Sequence, residues 1–172
     1  EKIVKLKVKG RINSYDIILF RDKMPLLSDL DLSEATVVAS NKPYYDTFCT
    51  GNNTLGGYAF YDLDHLVNVK LPQGLEALGE YAFARCDNLI SVDASATNKL
   101  DINTSAFYEC PKLNYFLSPE NIANVGNGAF SACVNLTELE LHNVIGSIGY
   151  GAFNNCAGIK GELEIKEGMT TA

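Results

Sequence analysis

The sequence predicts a right-handed solenoid with a single parallel β-sheet of about seven rungs, joined by turns or short helical turns and containing little regular helix. The main observation is the dipeptide Ala-Phe, which occurs five times. Its Phe residues are separated by 23, 24, 23 and 23 positions. A constant period of this length is typical of stacked repeats. Each unit is too short to bury its own apolar face, so neighbouring units must stack to form a core. The repeated residues are Phe60, Phe83, Phe107, Phe130 and Phe153.

Other residues keep fixed distances from each Phe. An aliphatic residue lies five positions before it, and the next position is Gly in four repeats and Asn103 in the other. Asn is the non-Gly residue that most readily adopts a positive φ. We therefore expect a left-handed turn at this position in every repeat. We call these residues the Gly column: Gly56, Gly79, Asn103, Gly126 and Gly149.

Four of the five cysteines lie three positions after a Phe. Metal sites and disulfide frameworks use paired or clustered cysteines, whereas these occur once per repeat. A buried thiol behaves as a small apolar side chain, so we expect a reduced and inaccessible ladder. Cys49 lies outside this arrangement and is expected to be the most reactive thiol. The Cys column contains Cys86, Cys110, Cys133 and Cys156.

A strand pattern ends each repeat. In Leu66-x-x-Val69-x-Leu71, for example, the last apolar residues alternate with outward positions. Alternation of this kind is typical of a half-buried strand. Strands of successive repeats are expected to pair in parallel, ~4.8 Å apart.

The N-terminal region repeats this strand pattern twice, in Ile3-x-x-Leu6-x-Val8 and Leu27-x-x-Leu30-x-Leu32. We expect residues 1–40 to form an N-terminal capping region with degenerate repeats, because a solenoid needs an end that covers its first rung. Between the two strands a short helix is expected over 14–22, with Ser14 as its N-cap.

The whole chain, residues 1–172, is expected to form one solenoid domain. Residues 41–54 are rich in Asn, Tyr, Thr and Gly and are expected to form an irregular loop. Residues 55–172 are expected to form regular repeats of 23–24 residues.

The repeat Ile-Gly-x-x-Ala-Phe-x-x-Cys-x-x-Leu-x-x-Leu-x-Leu resembles the BspA-type repeat of bacterial surface proteins, within the leucine-rich repeat superfamily. Val125 to Leu141 is a near-complete copy. Gly158 to Ile165 resembles the variant of that repeat with an inserted Gly, and the similarity extends over about Leu55 to Ile165. The resemblance implies a leucine-rich-repeat solenoid and a secreted or cell-surface protein that binds host proteins or mediates adhesion. It implies no catalytic residues.

Composition excludes several classes of partner. The net charge is −7 and the isoelectric point about 4.8, whereas proteins that track nucleic-acid phosphates need a basic face. The same charge argues against docking on anionic lipid. The sequence contains no apolar run long enough to span a membrane. It begins at Glu1 without Met, so we expect a processed or trimmed fragment of an extracellular or cell-surface protein, with any signal or anchor segment outside it.

Motifs of catalysis were not found. The sequence has no Gly-rich phosphate loop, no nucleophile elbow and no metal-binding His pair. Its two histidines, His65 and His142, are expected on the surface. We therefore expect no enzymatic activity, no cofactor and no metal site.

The outward positions of the strands form the candidate binding face. Tyr115 and Leu117 make an apolar spot where neighbouring rungs are polar, and four Glu residues lie together on the last two rungs. A Tyr-Leu pair is also ordinary on a soluble surface, and stacked Glu residues also serve as a solvated end that discourages edge pairing. The face contains Ser91, Asp93, Tyr115, Leu117, Glu138, Glu140, Glu162 and Glu164.

A rival aromatic patch lies in the irregular loop, at Tyr44, Tyr45 and Phe48. Two functions remain open at this point. The first is a monomeric binding module that recognises a protein or a glycan through the strand face. The alternative is a structural spacer or surface-layer component without a specific ligand.

Overall fold

A computed structural model describes residues 2–139, 144–160 and 170–171. They form a parallel β-solenoid of about six turns with a single helix within the described ranges. In chain order the elements are β1 (Lys5–Ile12), α1 (Ser14–Asp22), β2 (Asp29–Val37), β3 (Thr54–Leu55), β4 (Asn68–Lys70), β5 (Ala77–Leu78), β6 (Ser91–Asp93), β7 (Lys99–Ile102), β8 (Tyr115–Leu117), β9 (Asn121–Val125), β10 (Glu138–Leu139), β11 (Ser147–Ile148) and β12 (Thr170–Thr171).

The first sheet is the one predicted from the strand pattern. Its order is β1-β2-β4-β6-β8-β10, and every pair is parallel. The predicted central residues are in register, since Val69 pairs with Val92 and Val92 with Phe116. Six of the seven expected rungs lie in this sheet. The seventh, Glu162 to Ile165, lies outside the described residues.

The expectation of a single sheet is wrong, because a second parallel sheet runs along the coil in the order β12-β11-β9-β7-β5-β3. It is built from the aliphatic residues that lie five positions before each Phe. Most of its strands have only two residues within the described ranges, which is too short for alternation to be visible in sequence. The aliphatic residues are fully or nearly buried: Leu55, Leu78, Ile102, Val125 and Ile148.

The core is organised around a stack of Phe rings. Successive centroids lie 5.0, 5.4, 5.1 and 5.6 Å apart, with interplanar angles of 19° or less. The ring of Phe116, on a rung of the first sheet, meets Phe107 and Phe130 edge-on. Offset stacks and edge contacts are the favoured arrangements of aromatic rings, so the Phe column forms a continuous core along the coil.

The Cys column is hydrogen-bonded to this stack. Each thiol lies close to the carbonyl oxygen of the Phe in the preceding repeat, with Sγ to O distances of 2.9–3.1 Å, as in Cys86 to Phe60. All five cysteines are free. Leu63 replaces Cys in the first repeat, where no preceding Phe carbonyl exists to accept a hydrogen bond.

The turns are also hydrogen-bonded from repeat to repeat. The N–H groups of Tyr58, Phe60 and Asp62 donate to the carbonyls of Glu80, Ala82 and Ala84 at 2.9, 2.6 and 2.9 Å. The same three steps recur in the following repeats. Each turn therefore donates forward along the coil and accepts from the turn behind it.

The prediction that the Gly column forms the left-handed turn is wrong. The residues with φ near +60° lie two positions before and two positions after each Phe, and no member of the Gly column is among them. The Gly column is needed for close approach: a Cβ added at Gly126 would lie 2.6 Å from the carbonyl carbon of Asn103 in the preceding repeat. The left-handed residues are Tyr58, Tyr81, Ser105, Gly128 and Gly151 before Phe, and Asp62, Arg85, Glu109, Ala132 and Asn155 after it.

The N-terminal helix has the predicted bounds but a different cap. Asn13 is the N-cap, and its side chain accepts from the N–H of Tyr15 at 2.9 Å. Its own N–H donates to the carboxylate of Asp16 at 2.8 Å, which completes a capping box. Ser14 is instead buried and accepts from the N–H of Thr50 at 3.0 Å, so it attaches the helix to the loop that follows β2.

Replacing Phe107 with Ala should lower the free energy of unfolding by about 3–5 kcal/mol, as expected for a fully buried aromatic ring. Its matched control is Phe153→Ala, because Phe153 is only partly buried and has one ring neighbour within the described residues. We expect the control to lose roughly half as much or less. Denaturant unfolding measures both. A loss below about 1 kcal/mol for Phe107→Ala would contradict the stacked core.

Thiol labelling of the native protein should distinguish three classes of cysteine. Cys49 is half-buried, and its thiol donates a long hydrogen bond to the carbonyl of Thr47, at 3.7 Å, so it should react first. Cys156 is also half-buried, which corrects the expectation that the whole column is inaccessible, and burial raises its pKa to about 11. It should react slowly, because the thiolate is the nucleophile.

The three remaining thiols should stay unmodified until the protein unfolds. Cys86, Cys110 and Cys133 are fully buried, and burial raises the pKa of Cys86 to about 12. Mass spectrometry after brief alkylation, with and without denaturant, gives the order of reaction. Rapid native modification of Cys110 would refute the buried ladder.

Candidate functional site

The outward side chains of the first sheet form two straight columns, because its rungs pair residue by residue. The column at the start of each rung runs through Lys5, Asp29, Asn68, Ser91 and Tyr115. The column at the end of each rung runs through Lys7, Asp31, Lys70, Asp93 and Leu117.

A chain of polar contacts occupies the first column over four rungs. The ammonium of Lys5 lies 3.7 Å from a carboxylate oxygen of Asp29. The amide of Asn68 donates to the same oxygen at 3.0 Å, and the hydroxyl of Ser91 donates to the amide oxygen of Asn68 at 2.7 Å. Hydrogen bonds from Ser28 and Asn68 lower the pKa of Asp29. The carboxylate is therefore charged at neutral pH.

Alternating charges occupy the second column. Lys7 lies 3.6 Å from Asp31, and Lys70 lies 4.0 Å from Asp93. The pKa of Asp31 is lowered, mainly by the hydroxyl of Ser33, which donates to it at 2.6 Å. The two columns together thus pair three lysines with three aspartates.

Both polar columns stop at the fifth rung. Tyr115 is 39% exposed and Leu117 is 52% exposed, and between them Phe116 points into the core. The structure therefore places the two predicted side chains on the surface and beside Ser91 and Asp93. Their role in binding stays a prediction.

An open groove of about 530 Å³ lies over the first four rungs and reaches Leu117. We call it the rung groove. Its walls include outward side chains of the first three rungs that the candidate face predicted from the sequence does not contain. A sequence signal for them exists, because a Lys on one rung is followed by an Asp at the equivalent position of the next rung. These residues are Lys5, Lys7, Asp29, Asp31, Asn68 and Lys70.

At the acidic end of the face, only the strand position of Glu138 lies within the described residues. The backbone of Glu138 belongs to β10 and pairs with Tyr115. Glu140, Glu162 and Glu164 lie outside the described residues. The cluster of four Glu side chains stays a prediction.

The rival patch in the loop is part of the fold. The hydroxyl of Tyr44 donates to the carbonyl of Gly57 at 2.9 Å, and Nη1 of Arg21 donates to the carbonyls of Ala59 and Tyr61 at 3.1 and 3.4 Å. In later repeats, the equivalent carbonyls accept from the preceding turn. Arg21 and Tyr44 therefore supply the donors that a preceding repeat would supply.

Aromatic packing also holds the loop 41–54 against the first repeat. We call this loop, together with Arg21, the cap. The ring of Tyr45 stacks on Tyr58 with centroids 4.8 Å apart, and Phe48 lies 5.0 Å from Tyr58. The guanidinium of Arg21 lies 5.3 Å from the Tyr45 ring centroid, a favourable cation–π distance. Burial lowers the pKa of Arg21 and raises that of Tyr44. The three aromatic residues of the loop thus pack against the first repeat, although Tyr45 and Phe48 remain half-exposed.

Other kinds of site find little support in the described residues. They contain no cluster of His, Cys, Asp and Glu suited to a metal ion, and their helix is not long and apolar enough to cross a membrane. His65 is half-buried, contrary to the expectation of a surface position, and its Nε2 is buried without a hydrogen-bond partner. Burial lowers its pKa. His142 lies outside the described residues.

Comparison with known proteins gives a family and several structural relatives. The model of the BspA type leucine rich repeat region matches residues 47–160 in six copies. A leucine rich repeat protein of T. pallidum is 21% identical with a TM-score of 0.48, over 62% of this chain and 60% of that one. A leucine-rich repeat protein of Bacteroides ovatus ATCC 8483 is 19% identical with a TM-score of 0.33, over 69% and 42%.

A leucine rich cell surface protein of Faecalibacterium prausnitzii A2-165 is 16% identical with a TM-score of 0.42, over 77% of this chain and 45% of that one. In each case the matched part is less than two thirds of the other chain. No curated protein sequence matches this one.

Removing the hydroxyl of Tyr44 should destabilise the cap without loosening its packing. Tyr44→Phe leaves the carbonyl of Gly57 without its donor, and we expect a loss of about 1–2 kcal/mol in the free energy of unfolding. Tyr15→Phe is the matched control, because Tyr15 is 64% exposed, and it should leave stability unchanged. Denaturant unfolding compares the two. Equal stability of both variants would show that Tyr44 has no capping role.

Proposed function

Because the chain belongs to the BspA-type leucine-rich repeat family, we propose that it is an extracellular or cell-surface binding module that recognises a protein or a glycan through the outward face of its first sheet. The family is of bacterial surface type, which supports this location and an adhesive role. The proposal includes no catalytic step.

One observation supports this face above others. The ion-paired columns end at the fifth rung, where Tyr115 and Leu117 are exposed beside the rung groove. Aromatic side chains at the centre of a patch tend to dominate interface energy, while surrounding charged groups adjust association rate and selectivity. Ser91 and Asp93, on the neighbouring rung, provide polar groups beside this pair. Solenoids commonly bind along the extended surface that their strands create.

The alternative is a structural spacer or surface-layer component, and a specific observation favours it as well. The charged side chains of the first two rungs are paired with one another across the strands. A surface whose charges are already paired is stable in water without a ligand. Screening the domain against host extracellular proteins and a glycan array separates the two functions, since the spacer should bind neither.

With a ligand in hand, the double variant Tyr115→Ala with Leu117→Ser should raise Kd at least tenfold, which is about 1.4 kcal/mol. The melting temperature should hardly change, because both side chains are exposed. The matched control is Tyr150→Ala with Ile145→Ser, since these residues are 76% and 58% exposed outside the first sheet. The control should leave Kd unchanged. Calorimetric titration measures Kd for both.

A separate variant tests the loop. Tyr45→Ala removes the half-exposed aromatic of the cap while keeping the hydroxyl of Tyr44. If Tyr45→Ala abolishes binding in a protein that stays folded, and the strand-face variant does not, the site lies on the cap and the assignment to the first sheet is wrong.

A further inference from the structure

We infer that the rung groove takes an uncharged, hydroxyl-rich ligand, namely a short neutral oligosaccharide, in preference to a charged peptide or an acidic polysaccharide. This inference rests on the proposed function and names a ligand class for the same face. The groove spans the first four rungs of the first sheet and ends at Leu117.

The first argument is charge balance. The groove is lined by three lysines and three aspartates, in a chain whose net charge is −7. Each aspartate has a lysine within 4.0 Å. A charged group of a ligand can bind one member of such a Lys–Asp pair only by competing with the other member. The displaced member then faces a ligand group of its own sign or loses its ion-pair partner. Like charges brought together across an interface are unfavourable, so the groove selects against ions of either sign. The six residues are Lys5, Lys7, Lys70, Asp29, Asp31 and Asp93.

The second argument is hydrogen-bonding capacity. The ammonium of Lys5, the carboxylate of Asp29, the amide of Asn68 and the hydroxyl of Ser91 follow one another at the spacing of the strands. Lysine supplies donors only, an ionised aspartate acceptors only, and amide and hydroxyl groups supply both. A sugar hydroxyl both donates and accepts, so it can bridge neighbouring members of this series.

The third argument is that these side chains are already held in place. Asn68 is fixed at both ends, by Asp29 at 3.0 Å and Ser91 at 2.7 Å. Asp31 and Asp93 each accept from the hydroxyl of a serine two residues later, at 2.6 Å. Groups that are ordered before binding lose little side-chain entropy when a ligand arrives. Such a site suits ligands held by several weak hydrogen bonds, because the binding free energy of these ligands is too small to offset the ordering of flexible side chains.

Size and shape agree with a ligand of a few sugar units. A volume of about 530 Å³ lies within the usual range for pockets that hold small organic ligands. Where the groove reaches the fifth rung, Leu117 lines it with an apolar surface, and Tyr115 is exposed on the same strand. The C–H face of a sugar ring can be buried there while its hydroxyls reach the polar columns.

The test uses the wild-type protein and two sets of probes of equal length. The neutral set contains the hexasaccharides of cellulose, starch, mannan and xylan, and the acidic set contains hexasaccharides of hyaluronan and heparin. Calorimetry should show binding of at least one neutral probe. Its Kd should change by less than about twofold between roughly 0.05 and 0.5 M NaCl, a range over which exposed charge interactions are strongly screened.

The location is tested by filling the groove. Ser91→Trp should weaken binding of that probe at least tenfold, and the control Ala77→Trp, which puts the same side chain on the second sheet, should leave Kd within about twofold. Amide chemical-shift mapping of the wild-type protein tests the location without a variant, and the shifts should centre on β1, β2, β4 and β6.

Two results would overturn the inference. One is binding of no neutral probe, and the other is tighter, salt-dependent binding of an acidic one. A protein ligand that depends on Tyr115 and Leu117, with no neutral sugar bound, would leave the proposed function standing while the ligand class is wrong. Failure to bind any protein or glycan would contradict both. If Tyr115→Ala leaves binding of a neutral hexasaccharide unchanged, the result would support the rung groove as the site. It would contradict the proposal that Tyr115 is the centre of the binding face.

Discussion

The distance between one turn and the next is the constraint on which the rest of this structure depends. Three N–H groups of each turn donate to the turn that follows, as at Phe60 and Ala82. These bonds require backbones to approach so closely that a Cβ at Gly126 would meet Asn103. At the same spacing the Phe rings stack, with centroids 5.0–5.6 Å apart, and the Cys thiols reach the Phe carbonyls of the preceding repeat. The Gly, Phe and Cys columns are thus three consequences of one repeat distance.

The repeating parts of the fold were predictable, because a side chain that packs against the equivalent side chain of the next repeat has to be of the same residue type. Phe83 stacks on Phe60 and Phe107, so the column is visible as a period. The left-handed positions were missed since they are occupied by such different residues as Tyr58, Arg85 and Ala132. Because these residues share no side-chain type, the sequence shows no pattern at the left-handed positions.

Parts that occur once were predicted less well. The contacts of the loop 41–54 with the first repeat depend on Tyr44 reaching Gly57 and on Arg21, from a helix far away in sequence, reaching Ala59. Within the candidate site, the alignment of Ser91 with Tyr115 followed from the repeat. The rung groove was missed because residues such as Lys5 and Asn68 look like ordinary solvated positions. The exchange of Lys and Asp becomes visible only when equivalent positions of successive rungs are compared.

The forward direction of the turn hydrogen bonds makes the two ends of the coil chemically unlike. The first turn presents carbonyl oxygens at Gly57, Ala59 and Tyr61, the positions that in later repeats accept from the turn before. Two first turns placed end to end would bring acceptor against acceptor, so symmetric pairing through that end is unfavourable. Arg21 and Tyr44 already occupy the acceptors. The cap therefore satisfies backbone acceptors that would otherwise be open to the N–H groups of another chain.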